Sequence, residues 1–238
     1  MIKKKSARQM IHSIDLGNRR QVSAHQLYRQ TKSHMAYNKF TLQETVEKFG
    51  LHIQYVDTIL EEIHPKPPSQ WLIQTLRKGL PRATRMRTEK ARSELIIAPI
   101  LLELQELRSK QMSFFSGVSF DVDKKQGLSG RCDFLICRDE EKSFITAPII
   151  AIVEAKNDNL EAGLGQCAAE MYAAQLFNQK KQSAIKSVYG VVTTGVIWQF
   201  LKLEGAVLFI ERIEKTFDFE HNLDELLGIF LGMIEVEK

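Results

Sequence analysis

The feature that most constrains the fold is a continuously apolar run from Pro148 to Val153, which is followed two residues later by the polar sequence 156–158. A run of this kind without polar residues is typical of a β-strand that is covered on both faces. Because successive side chains of a strand point to opposite faces, Glu154 and Lys156 are expected on one side of the strand end and Ala155 on the other. The chain is therefore expected to build layers on both faces of a sheet.

A second apolar run, over residues 131–137, carries Asp133. With Glu154 and Lys156 it supplies two carboxylates and one lysine at the tips of neighbouring strands, which are the groups needed to hold a divalent cation against a phosphodiester. A charge at the end of a central strand is costly to desolvate, so it needs a partner or a metal. The same pattern also fits an ordinary strand-end ion pair between Glu154 and Lys156, and the residues alone leave both interpretations open.

The spacing of an acidic residue and a lysine two positions apart carries no weight by itself, because a motif this short matches by chance. The same spacing occurs at Glu140 to Lys142 and at Asp123 to Lys125. Both of these matches lie in polar, charge-rich stretches that are typical of turns with solvated side chains. Only Glu154 to Lys156 follows an apolar run, and this context singles it out.

Charge along the chain is strongly polarised. Residues 1–92 hold 18 Lys and Arg against 7 Asp and Glu, a net charge of +11, whereas residues 93–238 hold 15 against 22, a net charge of −7. A block of basic residues opposed only by Glu89 precedes the first core helix, and its members are Arg77, Lys78, Arg82, Arg85, Arg87, Lys90 and Arg92. Such a block predicts contacts to nucleic-acid phosphates, with a solvated linker helix as the alternative.

Other function classes find little support in the composition. No stretch approaches the roughly 20 apolar residues of a membrane span, and the N-terminus lacks the apolar segment of a signal peptide, so we expect a cytoplasmic protein with no membrane partner. The three cysteines suggest neither a disulfide framework nor a zinc site. The six histidines have no metal-ligand spacing, and no Ser, His and acid constellation points to acyl transfer.

Element patterns divide the chain into a basic N-terminal extension (1–40), a helical arm (41–87) and an α/β core (88–238). In the arm we expect helices at 41–50, 54–63 and 70–79. The core pattern predicts a helix through 94–108 that is kinked at Pro99. It then predicts strands at 114–122, 131–137 and 148–155, a helix at 160–178, strands at 188–194, 197–203 and 206–210, and a helix at 222–234. This order predicts an α/β three-layer sandwich in which helices flank a central mixed sheet.

Five residues of this order together resemble the PD-(D/E)XK nuclease superfamily: Glu94 on the helix before the sheet, Asp133, Glu154, Lys156, and Gln166 on the following helix. The resemblance covers residues 88–203. Within that superfamily the chain is most similar to solitary nuclease-like proteins related to the N-terminal nuclease domain of type I restriction R subunits. The resemblance implies a restriction-endonuclease-like core.

The resemblance also implies roles for these residues. Asp133, Glu154 and the backbone carbonyl of Ala155 would hold Mg²⁺ or Mn²⁺, and Glu94 would complete the acidic site. Lys156 would orient the attacking water or stabilise charge on the scissile phosphate, and Gln166 would align Lys156 or the nucleic-acid backbone. The pattern departs from the superfamily in two places: Cys132 stands where the motif has proline, and Glu170 stands where some branches have tyrosine.

The function expected from these observations is a Mg²⁺-dependent endonuclease that hydrolyses phosphodiesters in DNA, with residues 77–92 holding the backbone. One alternative is a nuclease-like fold that binds nucleic acid or assembles with other subunits without turnover. Another is an interaction subunit whose acidic face meets a protein partner. Because cleavage of both strands at once usually needs a second active site, a homodimer or a partner subunit is a further expectation.

Overall fold

The computed structural model describes residues 36–108, 111–140 and 143–235 of the chain. The basic extension predicted over residues 1–40 therefore lies outside the described residues except for positions 36–40. No helix in the described ranges combines the length and the apolar character that crossing a bilayer requires.

Within the described residues, eight strands form one mixed sheet. Their bounds are β1 His52–Val56, β2 Ser113–Ser119, β3 Arg131–Cys137, β4 Ile149–Ala155, β5 Ser187–Thr193, β6 Ile197–Glu204, β7 Val207–Glu211 and β8 Lys215–Thr216. The strand order is β1-β7-β6-β5-β4-β3-β2, and β8 pairs with β6. The β4–β5 and β1–β7 pairs are parallel, and the remaining pairs are antiparallel.

Helices lie on both faces of this sheet. Their bounds are α1 Leu42–Phe49, α2 Gln70–Met86, α3 Glu89–Arg92, α4 Ala98–Leu107, α5 Glu161–Lys180 and α6 Leu223–Glu235. Apolar residues of α2, α4 and α6 pack in one buried cluster against one face, and those of α1 and α5 pack in a second cluster against the other. The predicted α/β fold with a central mixed sheet between helices is confirmed.

The central position of β4 follows from its composition. Every residue from Ile149 to Ala155 is buried. Alternate side chains enter the two apolar clusters: Ala151 and Val153 face the α2, α4 and α6 side, and Ile152 faces the α5 side. A strand that is apolar on both faces is stable only where both faces are covered. Predictions for the strands from residue 113 onward agree with the observed bounds to within a few residues.

Residues 41–87 do not form the separate helical arm that the sequence predicted. The helix expected over 54–63 is wrong, because residues 52–56 form strand β1, which pairs in parallel with β7. Helix α1 is bonded to α5, since the Thr45 hydroxyl donates to the carbonyl of Gly165 at 3.1 Å. Helix α2 extends to Met86, well beyond the expected end at residue 79. This region therefore belongs to the same sheet and cores as the rest of the described chain.

The helix before the sheet is irregular close to Pro99. A π turn, Ser93–Ile97, joins α3 to α4. Proline has no N–H to donate to the carbonyl four residues earlier, so the regular helical bonding is interrupted there. The kink expected at Pro99 stays a prediction, and the observed irregularity is a π turn just before the proline, which shifts the phase of the helix on either side.

Candidate active site

The candidate site forms where strands β3 and β4 separate. Their ladder ends at the pair Phe134 and Val153, one residue short of Asp133 and Glu154. Because N–H groups along a strand point alternately to its two neighbours, the N–H of Ala155 points towards β3, where no backbone acceptor remains. The Asp133 carboxylate accepts this hydrogen bond at 2.9 Å. The strand separation therefore brings Asp133 to the end of β4.

Glu154 and Lys156 form a buried ion pair at the same place. Lys156 Nζ lies 2.7 Å from Glu154 Oε1, and the exposed fractions of the two side chains are 14% and 3%. The other carboxylate oxygen, Glu154 Oε2, is buried and has no hydrogen-bond partner among the described residues. A buried carboxylate oxygen without a donor is costly. This oxygen is therefore available to a cation or to another donor.

Helix α5 extends the polar network away from the strand end. Lys156 Nζ donates to Gln166 Oε1 at 3.4 Å, and Gln166 Nε2 donates to Glu170 Oε1 at 3.1 Å. Gln166 and Glu170 are four residues apart, so they lie on one face of the helix. The chain of contacts runs from Glu154 through Lys156 and Gln166 to Glu170, and each of these four side chains is largely or wholly buried.

Close approach of α5 to the strand end depends on a glycine. A Cβ at Gly163 would lie 2.6 Å from Val192 Cγ1 and 2.9 Å from Lys156 Cε. Both distances are too short for carbon atoms in van der Waals contact. The absence of a side chain at Gly163 thus lets the first turns of α5 pack directly on the aliphatic stem of Lys156.

The electrostatics of the site are those of a crowded acidic cluster. Burial raises the pKa of Glu154 to about 8, and the charge of Asp133 adds to the rise while Lys156 opposes it. Burial also raises the pKa of Asp133, and burial together with the charge of Glu154 raises that of Glu170 well above its ordinary range. Burial alone would lower the pKa of Lys156, but the charge and hydrogen bond of Glu154 outweigh it and the pKa is raised.

The resemblance implies that Glu94 completes the acidic site, but the structure pairs its side chain with a residue elsewhere. It lies in the π turn, 58% of its side chain is exposed, and its carboxylate is 2.9 Å from Lys90 Nζ. The charge of Glu89, at the start of α3, contributes to the raised pKa of Glu154, and the charge of Lys90 partly offsets the raised pKa of Asp133.

The basic block divides into two environments. Six of its seven members are exposed on α2, α3 and the residues between them, and these are Arg77, Lys78, Arg82, Arg85, Arg87 and Lys90. Arg92 instead is buried and bonded within the protein: its Nη1 donates to the Thr194 carbonyl at 2.6 Å, and its Nη2 lies 3.7 Å from Asp158. Arg92 thus fixes the loop after β4 to the end of β5, and its guanidinium is not presented to a ligand in this arrangement.

The site fits a hard dication such as Mg²⁺, although the part of the chain that the structure describes offers fewer than three clustered metal-ligating side chains. No cluster of three His, Cys, Asp or Glu side chains with metal-binding geometry occurs among the described residues. Magnesium, however, is commonly held by one or two carboxylates plus waters and substrate phosphates. Asp133 and the unpartnered Glu154 Oε2 provide two such carboxylates, and their shared low-dielectric surroundings favour a neutralising cation. The carbonyl of Ala155 lies at the same strand end.

The sequence relates Glu89 and Glu170 to the site to different extents. Glu89 stands out only as the acidic exception within the basic block. Glu170 departs from the family pattern, and its spacing of four from Gln166 puts the two on one helix face, where a second acid would add a ligand or repel phosphate. Burial of Glu170 on the sheet side of α5 could not be inferred without knowing which face of that Ala-rich helix packs inward.

Comparisons with known proteins add no assignment. No protein-family model matches the chain, and no curated protein matches its sequence. The geometry at the ends of β3 and β4 is therefore the basis on which a function is proposed below.

Proposed function

We propose that this protein is a Mg²⁺-dependent nuclease with a restriction-endonuclease-like core, which hydrolyses phosphodiester bonds in DNA. The observation that carries the proposal is the difference in surroundings between the two carboxylate oxygens of Glu154. One of its carboxylate oxygens is 2.7 Å from Lys156 Nζ, and the other is buried without a partner beside Asp133. An acidic pair with a lysine, opened at a strand end, has the components of a phosphodiester-hydrolysing site.

Asp133 and Glu154 are the residues that would hold the cation, with Mg²⁺ or Mn²⁺ favoured over zinc because all the available ligands are oxygen atoms. When bound, the cation supplies charge stabilisation at the phosphoryl oxygens and a lowered pKa for a bound water. The N–H of Ala155 orients Asp133 through the bond to Oδ2. Glu154 is oriented by Lys156, so both carboxylates are held before a ligand arrives.

Lys156 is the residue proposed to act on the reacting phosphate. Hydrolysis forms one P–O bond to the oxygen of water, which gives up a proton, and breaks the P–O bond to the leaving oxygen, which takes up a proton. Negative charge accumulates on the phosphoryl oxygens in this step, and a buried ammonium stabilises it more strongly than a solvated one does. Gln166 limits the positions open to Lys156 Nζ, because it accepts a second hydrogen bond from that atom.

The exposed part of the basic block is proposed to hold the DNA backbone. Lys78, Arg82 and Arg85 lie on the exposed side of α2, whereas the opposite side of the helix buries Leu72 and Leu76 in the core. Surface guanidinium and ammonium groups bind phosphates without regard to base sequence, with an affinity that falls as salt rises. Arg92 is excluded from this role because its guanidinium is bonded to Thr194 and the loop after β4.

The test is nicking or linearisation of supercoiled plasmid by the purified chain with Mg²⁺, with Mn²⁺ and with EDTA. Wild type is compared with Asp133→Ala and Lys156→Ala, and the folding of each variant is checked by circular dichroism. Cutting that needs the metal and is lost in both variants supports the proposal. Metal-independent cutting, or equal cutting by folded variants, contradicts it.

A second candidate is a nuclease-like module that binds nucleic acid or assembles with partners without turnover. The observation in its favour is that Lys156 already neutralises Glu154, while the described residues contain no cluster of three metal-ligating side chains. A folded wild type that binds plasmid but leaves it intact in both metals would favour this candidate. Failure to bind plasmid, with no change of melting temperature in Mg²⁺, would favour a protein-interaction role.

A further inference from the structure

Glu170 is a buried carboxyl group to which the proposed chemistry assigns no task. Its residue exposure is 0%, and it lies on α5 one turn beyond Gln166. Gln166 Nε2 donates to its Oε1 at 3.1 Å, and its Oε2 is buried without a hydrogen-bond partner among the described residues. The side chain has two polar neighbours, the Gln166 amide and the Cys132 thiol, and of these two it is Gln166 that bonds Lys156.

The direction of this contact determines how the Gln166 amide is turned. A carboxyl group that accepts from the amide NH₂ leaves the amide oxygen on the opposite side, and this oxygen lies 3.4 Å from Lys156 Nζ. An ammonium group is a donor only, so a reversed amide would place its NH₂ against Lys156. An acceptor at residue 170 thus favours the one amide orientation in which Gln166 can hold the lysine.

Packing alone does not account for a carboxyl group at this position. Its neighbours Cys167, Ala168 and Ala169 on the helix are fully buried and apolar. A buried polar group that is only half satisfied is less stable there than an apolar side chain of similar size. Glu211 shows the contrast. One of its oxygens accepts from the backbone N–H of Ile59, and the other, although it has no hydrogen bond among the described residues, lies 3.4 Å from Lys215 Nζ, so its contacts tie together separate parts of the fold.

We propose that Glu170 is a positioning residue for Lys156, which acts by fixing the orientation of the Gln166 amide. The role in turnover rests on the proposed nuclease function. The hydrogen bonds that join Lys156, Gln166 and Glu170 do not depend on that function. The charges of Glu154 and Asp133 act on Glu170, but its hydrogen bond is to Gln166, and the proposed effect on Lys156 passes through that bond.

The kinetic test compares Glu170→Met and Glu170→Gln in the full chain. Methionine removes the acceptor at nearly constant length, whereas glutamine keeps an acceptor oxygen and matches the neutral carboxyl that burial favours. Glu170→Met is expected to lower kcat for plasmid nicking about tenfold with the half-saturating DNA concentration unchanged, since a displaced lysine affects the chemical step. Glu170→Gln is expected to stay within about threefold of wild type, and Glu211→Gln serves as the buried-carboxylate control.

A double-mutant cycle separates positioning from a general structural effect. If Glu170 acts through Gln166, Gln166→Ala combined with Glu170→Met is no slower than Gln166→Ala alone. Multiplicative losses, or a Glu170→Met variant with wild-type kcat, overturn the proposal. Should Glu170→Met not fold, Glu170→Leu takes its place in the same cycle.

A measurement without turnover keeps this proposal distinct from the nuclease proposal. The side-chain amide resonances of Gln166, assigned by NMR through Gln166→Ala, report its hydrogen bonds directly. We expect them to shift in Glu170→Met and to stay near the wild-type positions in Glu170→Gln. If wild type does not cut DNA but the resonances behave this way, the nuclease proposal fails and the positioning contact stands. Resonances that are unchanged in Glu170→Met refute the positioning role.

Discussion

Two segments of this chain share one spacing and differ in almost everything else. Asp123 to Lys125 lies in an exposed turn, where the Asp123 carboxylate accepts from the backbone N–H groups of Lys125 and Gln126 at 3.0 and 3.2 Å. Glu154 to Lys156 lies at the end of a buried central strand, with an ion pair of 2.7 Å. A hydrogen bond from Gln126 lowers the pKa of Asp123, whereas burial raises that of Glu154.

The comparison teaches that solvation decides what this spacing can do. The turn carboxylate satisfies its oxygens with neighbouring donors and water, so it has no need of a cation. The strand carboxylate retains a buried oxygen without a donor beside a second carboxylate. Only the second arrangement gains substantially when a dication or a phosphate-bearing ligand arrives.

The largest expected difference between the two segments is in the nicking rate. Lys156→Met is expected to lower the rate of metal-dependent plasmid nicking about 100-fold or more, because it removes the ammonium proposed to stabilise the phosphate. Lys125→Met, the matched change in the exposed turn, is expected to leave the rate within about twofold. Initial rates under identical Mg²⁺ conditions measure both. Equal losses in the two variants would remove the distinction between the segments.

The second expected difference between the two segments is in how they make the free energy of unfolding depend on pH. Because the pKa of Glu154 rises from 4.5 to about 8 on folding, the folded state binds more protons within this window. Its contribution to the free energy of unfolding is therefore fully present below pH 4.5 and is lost as pH rises through 8, at a rate of up to about 1.4 kcal/mol per pH unit. Urea titrations of Glu154→Gln between pH 5 and 8 should show a shallower decline than wild type.

Asp123→Asn is the control for this slope. Its pKa is lowered from 3.8, so its contribution is present above that value and is lost only as pH falls through the folded pKa. The decline between pH 5 and 8 should be the same in Asp123→Asn as in wild type. A Glu154→Gln slope equal to that of wild type would mean that Glu154 does not titrate in this window.

Metal binding should stabilise the protein in a pH-dependent manner. A cation that binds only the folded state raises the melting temperature, by about 3 to 6 °C for a chain of this size when Mg²⁺ is at ten times its Kd. We expect a larger shift at pH 8 than at pH 6, because the carboxylate of Glu154 must be ionised to bind. Scanning calorimetry with Mg²⁺ and with EDTA measures it. Asp133→Asn should abolish the shift and Asp123→Asn should not.

The smallest expected effect concerns the packing of α5 on Lys156. Gly163→Ala places a Cβ 2.9 Å from Lys156 Cε, and Gly232→Ala on α6 places one at the same distance from Leu60 Cδ1. Both substitutions overpack a helix contact, at a cost to the free energy of unfolding of about 1 to 2 kcal/mol. Only Gly163→Ala should also slow nicking, about tenfold. Equal nicking by both variants would show that the position of the lysine stem is not critical.

Strands β2 to β7 could be predicted because they are local apolar runs that end at polar turns, whereas the two-residue strand β8 was not predicted. Strand β1 did not stand out, since it is only five residues long and only partly buried. Its conformation comes from parallel pairing with β7, far along the chain, and tertiary pairing of this kind overrides local preference. The predicted helix over 54–63 failed for this reason, and the prediction of a separate arm failed with it.

The residues of the candidate site likewise divide into those that could be predicted from the sequence and those that could not. Asp133, Glu154 and Lys156 follow from adjacent strand ends, whereas Gln166 is implied only by the resemblance, and the structure brings it to Lys156. Glu94 was also implied only by the resemblance, and it lies in the π turn with an exposed side chain. It is paired with Lys90 instead, while the charge of Glu89 contributes to the raised pKa of Glu154.

The most direct test of the central claim is plasmid nicking in water enriched in oxygen-18, followed by mass spectrometry of the terminal phosphates. If the Glu154 and Lys156 cluster hydrolyses phosphodiesters, each nick made by wild type in Mg²⁺ carries one oxygen-18 atom on its phosphate. The labelled product is then absent with EDTA and in folded Lys156→Met, and present in Lys125→Met. A folded wild type that leaves the plasmid intact in both Mg²⁺ and Mn²⁺ would contradict the account.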